Sequence, residues 1–319
     1  MKIMVTGGTG FMGSTLVDLL LKEHPNDRIQ ILRRWRSDGH FQNLDHLPVG
    51  AVDFFEGDLT DAWSMRDIIK NAKPDQIYHV AANTFVPYSY GNAADCIDTN
   101  GQGTLNLLEA VRHYAPDCKI LIVSSCEVYG SHDGPITEQS ALNPRSPYGV
   151  GKLVEDRIAW MYQQSYGMNI LIGRSSSQTG PRKFVGLVDS SWCFQVARME
   201  KGLQVPVLKV GLLTPIRTFC DSVDMVKAYH TFMERGTPGE LYNINGDGLL
   251  SMQNILDRLK SLSRVTFSVE QDPARIRPTD VKKLQPLCTP FRERFGWKPE
   301  TPYIQSLENL LNYWRERLK

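Results

Sequence analysis

Residues 2–13 read KIMVTGGTGFMG. A short β-branched run leads into Gly7, Gly10 and Gly13, spaced G-x-x-G-x-x-G, and a helical stretch opens directly behind them. Glycine permits a tight turn and close backbone approach, so the amino end of the helix can receive a pyrophosphate. An ordinary strand-to-helix turn also uses glycine; the position between a strand and a helix at the start of the chain is what gives this pattern weight. The stretch predicts a bound nicotinamide dinucleotide, with Gly7, Gly10, Phe11, Met12 and Gly13 as its first contacts.

The same alternation continues outward. Strand-like runs at 2–6, 29–33, 52–56, 76–80, 119–124 and 169–173 alternate with helical stretches at 13–23, 63–71 and 104–114. A long helix is expected from Pro147 to about Tyr166. With right-handed crossovers this is an α/β, Rossmann-type, doubly wound parallel sheet. After Arg174 the alternation breaks into segments rich in Gly, Pro and Arg, at 179–186, 210–219 and 272–280, between helical stretches at 189–201, 252–262 and 304–318. The expected division is a cofactor domain over 1–174 and a smaller, mainly substrate-binding lobe over 175–319, with the run at 241–244 able to return to the main sheet.

Bulk properties narrow the partners. Lys+Arg 36 against Asp+Glu 35 leaves a net charge of +1, which argues against nucleic acid or an anionic membrane surface. No apolar run approaches the roughly 20 residues that span a bilayer, and MKIMV runs into glycines instead of forming a signal peptide. Cys96, Cys118, Cys126, Cys193, Cys220 and Cys288 form no C-x-x-C pair, so a reducing cytoplasm is the expected setting. The histidines show no ligand spacing along the chain, and no metal is expected.

The end of the second strand usually selects the cofactor. Residues 31–37 read ILRRWRS, with Arg33, Arg34 and Arg36 and no carboxylate until Asp38. Guanidinium groups suit a 2′-phosphate, which favours NADP, with NAD as the alternative. After the third strand, Gly57-Asp58-Leu59 places Asp58 either against the adenine or as a helix cap. Tyr148 and Lys152 form Y-x-x-x-K in SPYGVGK at 146–152. An i, i+4 pair shares a helix face, so the ammonium is expected to lower the phenol pKa and make it a usable base. Upstream, VSSCEVYG at 123–130 ends a strand with Ser124, Ser125, Cys126 and Glu127, where ligands bind in open α/β sheets.

These segments resemble an extended short-chain dehydrogenase/reductase that modifies nucleotide sugars. The resemblance runs through TGGTGFMG (6–13), GDLTD (57–61), AAN (81–83), DTNGQGTLNLLEA (98–110), SSCEVYG, SPYGVGK, TGP (179–181), IRTFCDSVDM (216–225), LYNINGDG (241–248), RPTDV (277–281) and FGWKP (295–299). The later segments most resemble GDP-mannose 4,6-dehydratases and their sister GDP-4-keto-6-deoxymannose reductases. The resemblance implies Tyr148 as the base at sugar O4, Lys152 on the nicotinamide ribose, and Ser125 hydrogen-bonded to O4. It implies Glu127 as the acid/base that removes the C5 proton, with C4 oxidation, loss of water across C5–C6 and hydride return. Leu59, Ala81 and Ala82 are implied cofactor contacts. Arg217, Arg277 and Lys183 are implied grips for the diphosphate or ribose, and residues 207–212, with Lys209, a flank for guanine. Thr84, Cys126, Ser177 and Val188 complete the implied substrate contacts.

Two positions depart from the resemblance: Cys126 stands where dehydratases carry Asp or Ser, and Ser177-Gln178 replaces Asn-His. The leading expectation is a GDP-sugar 4,6-dehydratase. Its rivals are a GDP-4-keto-sugar reductase, a C4 epimerase or dehydrogenase, and a noncatalytic cofactor sensor. The helix after Tyr148 carries surplus apolar residues, Ile158, Trp160 and Met161, to be covered by a partner helix in a homodimer or homotetramer or by the C-terminal lobe.

Overall fold

A computed structural model describes residues 1–34, 40–277 and 279–318. The β-branched runs of the first half are β1 (Lys2–Thr6), β2 (Arg28–Arg33), β3 (Asp53–Glu56), β4 (Gln76–His79), β5 (Lys119–Ser125) and β6 (Ile170–Ser175). Later strands are β7 (Ser177–Thr179), β8 (Val207–Val210), β9 (Ile216–Asp221), β10 (Leu241–Ile244), β11 (Leu249–Ser251) and β12 (Ser268–Gln271). One sheet takes the order β3-β2-β1-β4-β5-β6-β10, parallel throughout. Its inner strands are covered on both faces, which is why β4 and β6 are buried along their whole length. The order reverses beside β1, opening the crevice where such sheets bind ligands.

The helices are α1 (Phe11–Glu23), α2 (Ala62–Ala72), α3 (Val86–Gly91), α4 (Ala93–Ile97), α5 (Gly103–Tyr114), α6 (Pro147–Tyr166), α7 (Val188–Glu200), α8 (Ser222–Arg235), α9 (Met252–Leu262), α10 (Thr289–Phe295) and α11 (Tyr303–Arg317). On one face of the sheet, Leu16, Val17 and Leu20 of α1 pack with Met225, Tyr229 and Phe232 of α8. On the other, Ile68 and Ile69 of α2 join Leu107 and Val111 of α5 and Ala159 of α6. A separate core of Trp192, Val196, Leu256, Leu307 and Leu311 holds α7, α9 and α11 together with β8 and β9.

Two elements beyond residue 175 belong to the main sheet and its helical cover. β10 extends it past β6, and α8 shares a face with α1. The return follows from chemistry: β10 buries Asn243 and Ile244, and α8 has a continuous apolar stripe capped at its start by Asp221, whose side chain accepts from Val223 N. The remaining strands form small sheets, β11-β9-β7 and β12-β8. The cysteines are buried and unbridged. Among the described residues no helix is long and apolar enough to cross a membrane.

Candidate active site at the carboxyl edge of the sheet

The turn after β1 is built so that only glycine fits. Gly7 has φ +69°, and a Cβ there would lie 2.8 Å from Ala81 Cα. A Cβ on Gly13 would meet the Gly7 carbonyl oxygen at 2.0 Å. The loop after β4, with the half-buried Ala81 and Ala82, therefore closes directly on the turn. α1 starts at Gly10 with no side-chain cap, so its first-turn N–H groups face the crevice. A glycine cradle ending in an uncapped helix fits a dinucleotide pyrophosphate. Phe11 and Met12, half-buried, form the first turn of that helix.

The far rim is more mixed. Arg33, at the end of β2, pairs with Glu56 and stacks over Phe54 at 4.4 Å, while Arg34 is exposed. Arg36 and Asp38 lie outside the described residues. Asp58 caps its own turn, accepting from Thr60 N at 2.9 Å and Thr60 Oγ1 at 2.8 Å. Leu59 is buried, and its carbonyl accepts from Asn106 Nδ2.

At the carboxyl end of β5, the Ser125 hydroxyl accepts from Glu127 N at 3.2 Å and faces the Tyr148 phenol, where it works to lower the phenol pKa. Tyr148 opens α6, whose N-cap Ser146 accepts from Gly149 N, and the Tyr148 N–H donates to Ser89 Oγ. Gly149 and Gly151 let α6 approach its neighbours closely. A Cβ on Gly149 would stand 2.9 Å from Pro144 Cβ, and one on Gly151 would stand 3.1 Å from the Cys96 carbonyl. The expected lowering of the Tyr148 pKa is overturned. Burial pushes the phenol up, aided by the Glu155 and Glu127 carboxylates and opposed by the Ser125 hydrogen bond. One turn along α6, Lys152 Nζ is bound to Glu155 Oε2 at 2.5 Å and to the Val123 carbonyl at 2.7 Å. Its charge is balanced before it reaches the phenol.

Glu155 and its neighbour Asp156 are both wholly buried. Burial raises Glu155 to about 7 against the pull of Lys152, and its Oε1 has no partner among the described residues. Burial also works to raise Asp156, but the hydrogen bonds and charges of Arg174 and Arg157 outweigh it and hold that carboxyl below its usual value. Behind them, His79 bridges Thr6 Oγ1 at 2.8 Å and Thr104 Oγ1 at 3.0 Å and is held neutral, at about 3, chiefly by burial. Thr104 in turn donates to the Asn100 carbonyl within the π-helical turn Asp98–Gln102, and Asn100 Oδ1 accepts from Asn83 N. This chain of bonds ties the cofactor turn to the loop after β4.

The substrate-side candidates divide. Arg217 is brought to Glu127, Nε to Oε1 at 3.7 Å, and bonds Asp280 at 3.2 Å. Arg277 is half-buried and makes no ion pair among the described residues. Ser177 starts β7, Thr84 is exposed just before α3, and Val188 opens α7. Lys209 is exposed on β8, which pairs only with β12. Two candidates face the wrong way. The Cys126 thiol is buried and donates to the Arg174 carbonyl at 3.1 Å, and burial pushes its pKa well up. Lys183 is buried against Asp189 at 2.6 Å and the Gln178 carbonyl at 2.6 Å, so its charge is spent inside the lobe.

The family model for GDP-mannose 4,6-dehydratase matches residues 4–310. This chain belongs to that family. It is 30% identical over 323 residues to the GDP-6-deoxy-D-mannose reductase of Pseudomonas aeruginosa, covering 100% of this chain and 98% of that protein. The structure of the P. aeruginosa protein RMD complexed with NADPH superposes with a TM-score of 0.85 at 28% identity, over 99% of each chain. A dTDP-glucose 4,6-dehydratase from Streptomyces venezuelae with NAD bound gives 0.87 at 27% identity, over 99% of this chain and 97% of that one. The chain is thus an NAD(P)-dependent enzyme of the nucleotide-sugar dehydratase, reductase and epimerase group within the extended short-chain dehydrogenases.

Within that family frame, four residues of the site escaped the sequence reading: Asn100, Glu155, Asp280 and Tyr90. Tyr90 donates to the Thr279 carbonyl at 2.9 Å and so joins α3 to the segment carrying Arg277 and Asp280. Only Glu155 carried a local signal, its i, i+3 spacing from Lys152 on a helix face.

Proposed function

We propose that this enzyme reduces the C4 ketone of a GDP-linked 6-deoxyhexose, with NADPH as the reductant. The observation that carries the reading is at the end of β5 and the start of α6. Tyr148 and Ser125 form a neutral donor pair, while the adjacent Cys126 thiol is turned under β6. A ketone reduction needs a proton donor at O4, and the Tyr148 phenol, neutral at the mouth of α6, carries that proton. Loss of water from C6 needs a further acid beside Glu127, and a buried thiol engaged with a carbonyl does not supply one.

A reduced nicotinamide, when bound, supplies the hydride that reaches C4. Tyr148 gives its proton to O4, Ser125 holds O4 in place, and Lys152 lies one helical turn behind to orient the nicotinamide ribose. The glycine cradle with Phe11 and Met12, the Asp58-Leu59 turn, and Ala81 and Ala82 would hold the rest of the dinucleotide. Arg33 and Arg34 favour NADP by offering guanidinium groups to a 2′-phosphate. Arg217 and Arg277 would grip the diphosphate, and Lys209 lies on the strand proposed to flank guanine. The similarity to a GDP-6-deoxy-D-mannose reductase supports this choice of substrate.

The second reading, a GDP-sugar 4,6-dehydratase, is favoured by Glu127, which is only partly buried and meets Arg217 across the site. Mass analysis separates the two. Purified protein with GDP-4-keto-6-deoxymannose and NADPH is expected to yield a product with two added hydrogens. Loss of water from GDP-mannose without added cofactor overturns the reductase reading. A cytoplasmic setting accords with six unbridged thiols. A homodimer through α6 accords with the exposure of Trp160 (46%) and Met161 (38%), and light scattering of W160E tests it.

A further inference from the structure

Away from the catalytic edge, three ligand-type side chains converge that lie far apart in the chain. His24 follows the last residue of α1, and His230 and Glu234 sit one turn apart on α8, the helix packed beside α1. We propose that His24, His230 and Glu234 form a binding site for a divalent transition-metal ion of the zinc type at the amino-terminal edge of the sheet.

One ligand atom from each residue lies within 4.8 Å of the other two. Zinc–nitrogen bonds of 2.0–2.1 Å place neighbouring tetrahedral ligands roughly 3.3 Å apart. Glu234 is exposed, and its carboxylate closes the remaining distance by a side-chain rotation. The two imidazole rings already stand edge to face, with centroids 5.0 Å apart.

The outer partners make the stronger case. Metal-bound histidines carry a hydrogen-bonding group on the nitrogen that does not ligate, which fixes the tautomer and aims the ring. Here Asp27 Oδ2 lies 3.1 Å from His24 Nδ1, and the Tyr78 hydroxyl lies 3.3 Å from His230 Nδ1. Gln76 Nε2 donates to Glu234 Oε1 at 3.1 Å, leaving the second carboxylate oxygen for the ion. Each imidazole is left with Nε2 as the ligand atom. In His24 that atom is buried and has no hydrogen-bond partner. A histidine pair and one carboxylate make three protein ligands with a fourth position open to water, a set that suits zinc, cobalt or nickel better than calcium or magnesium.

The site has a mechanical consequence. A bound ion clips the carboxyl end of α1 to α8, and the amino end of α1 carries the dinucleotide turn. Binding to the folded state alone raises stability by linkage.

The test is calorimetric titration of chelator-stripped full-length protein with zinc chloride, paired with thermal melts. One zinc per chain is expected, with a melting temperature that rises with zinc. H24Q, H230Q and E234Q are each expected to weaken binding at least tenfold and to abolish the rise. H113Q, on α5 and outside the cluster, is expected to bind as the wild type does. Metal-free melts check that each variant folds, and E234Q alters only an exposed side chain. Absence of stoichiometric zinc binding, or wild-type affinity in H230Q and E234Q, overturns the proposal.

Discussion

Glu155 and Asp156 are adjacent, equally buried carboxylates on one helix, and they have opposite electrostatic fates. Asp156 accepts from Arg174 Nε at 2.8 Å, Arg174 Nη2 at 2.9 Å, Ser124 Oγ at 3.0 Å and Arg157 Nε at 3.1 Å. Arg174 is itself anchored by the Tyr129 hydroxyl and the Glu138 carbonyl. Glu155 has one strong partner, Lys152, and one orphaned oxygen. A buried charge is tolerated when its hydrogen-bonding capacity is filled, and it drifts toward neutrality when it is not. The first pair is a fixed strut between α6 and β6. The second leaves one carboxylate oxygen of a buried pair without a partner among the described residues.

The largest effect is expected from breaking the strut. R174M leaves Asp156 buried with its main counter-ion gone, a change worth about 3–5 kcal/mol. Urea unfolding at neutral pH is expected to show that loss. K152M is expected to cost clearly less, because Glu155, already near 7, takes up a proton and neutralises itself. Equal losses in the two variants would erase the distinction drawn between the pairs.

A sharper probe is pH. The Glu155 carboxyl is raised from 4.5 to about 7 on folding. It therefore costs nothing below its unfolded value, and stability falls as pH climbs through the folded value, by up to about 3 kcal/mol. Asp156 has the opposite sign. Its folded pKa is depressed, so its stabilisation is present above 3.8 and is lost as pH drops toward the folded value. E155Q is expected to flatten the stability profile between pH 4.5 and 8 and to leave the acid limb intact. Parallel profiles for the variant and the wild type would show that Glu155 does not titrate in that window.

The contrast also marks what a local pattern carries and what it does not. Gly7, Gly10 and Gly13, the Ser125 strand end and the Tyr148–Lys152 pair are short-range patterns, each confined to one turn or one helix face. The strand order follows from the βαβ alternation, and α6 runs over Pro147–Tyr166 as expected, with Ser146 as its N-cap and Gly167 closing it. What failed depends on burial, which pattern does not carry. Lys183 has the right charge for a diphosphate and is consumed by Asp189; Cys126 has the right position and points into β6. The Tyr148 pKa is raised against expectation chiefly because the phenol is buried, and Lys152 is engaged by a carboxylate one turn on, neither of which a Y-x-x-x-K pattern mentions. The run at 241–244 returns to the main sheet as β10, as the sequence allowed, and α8 packs beside α1 on one face of that sheet through contacts distant in sequence.

The smallest expected effect refines the account of the strut. Ser124 gives Asp156 one neutral hydrogen bond among several charged ones, so S124A removes a donor without exposing the carboxylate. Such a deletion costs about 1 kcal/mol, well below the loss expected for R174M. If the aspartate is held by redundant donors, the two changes together cost more than their sum, because once Arg174 is gone the serine becomes a larger share of what remains around Asp156. A double-mutant cycle of S124A and R174M reads this coupling directly. Strict additivity would mean that the hydroxyl and the guanidinium act on Asp156 independently, and the picture of one filled carboxylate beside one unfilled neighbour would lose its basis.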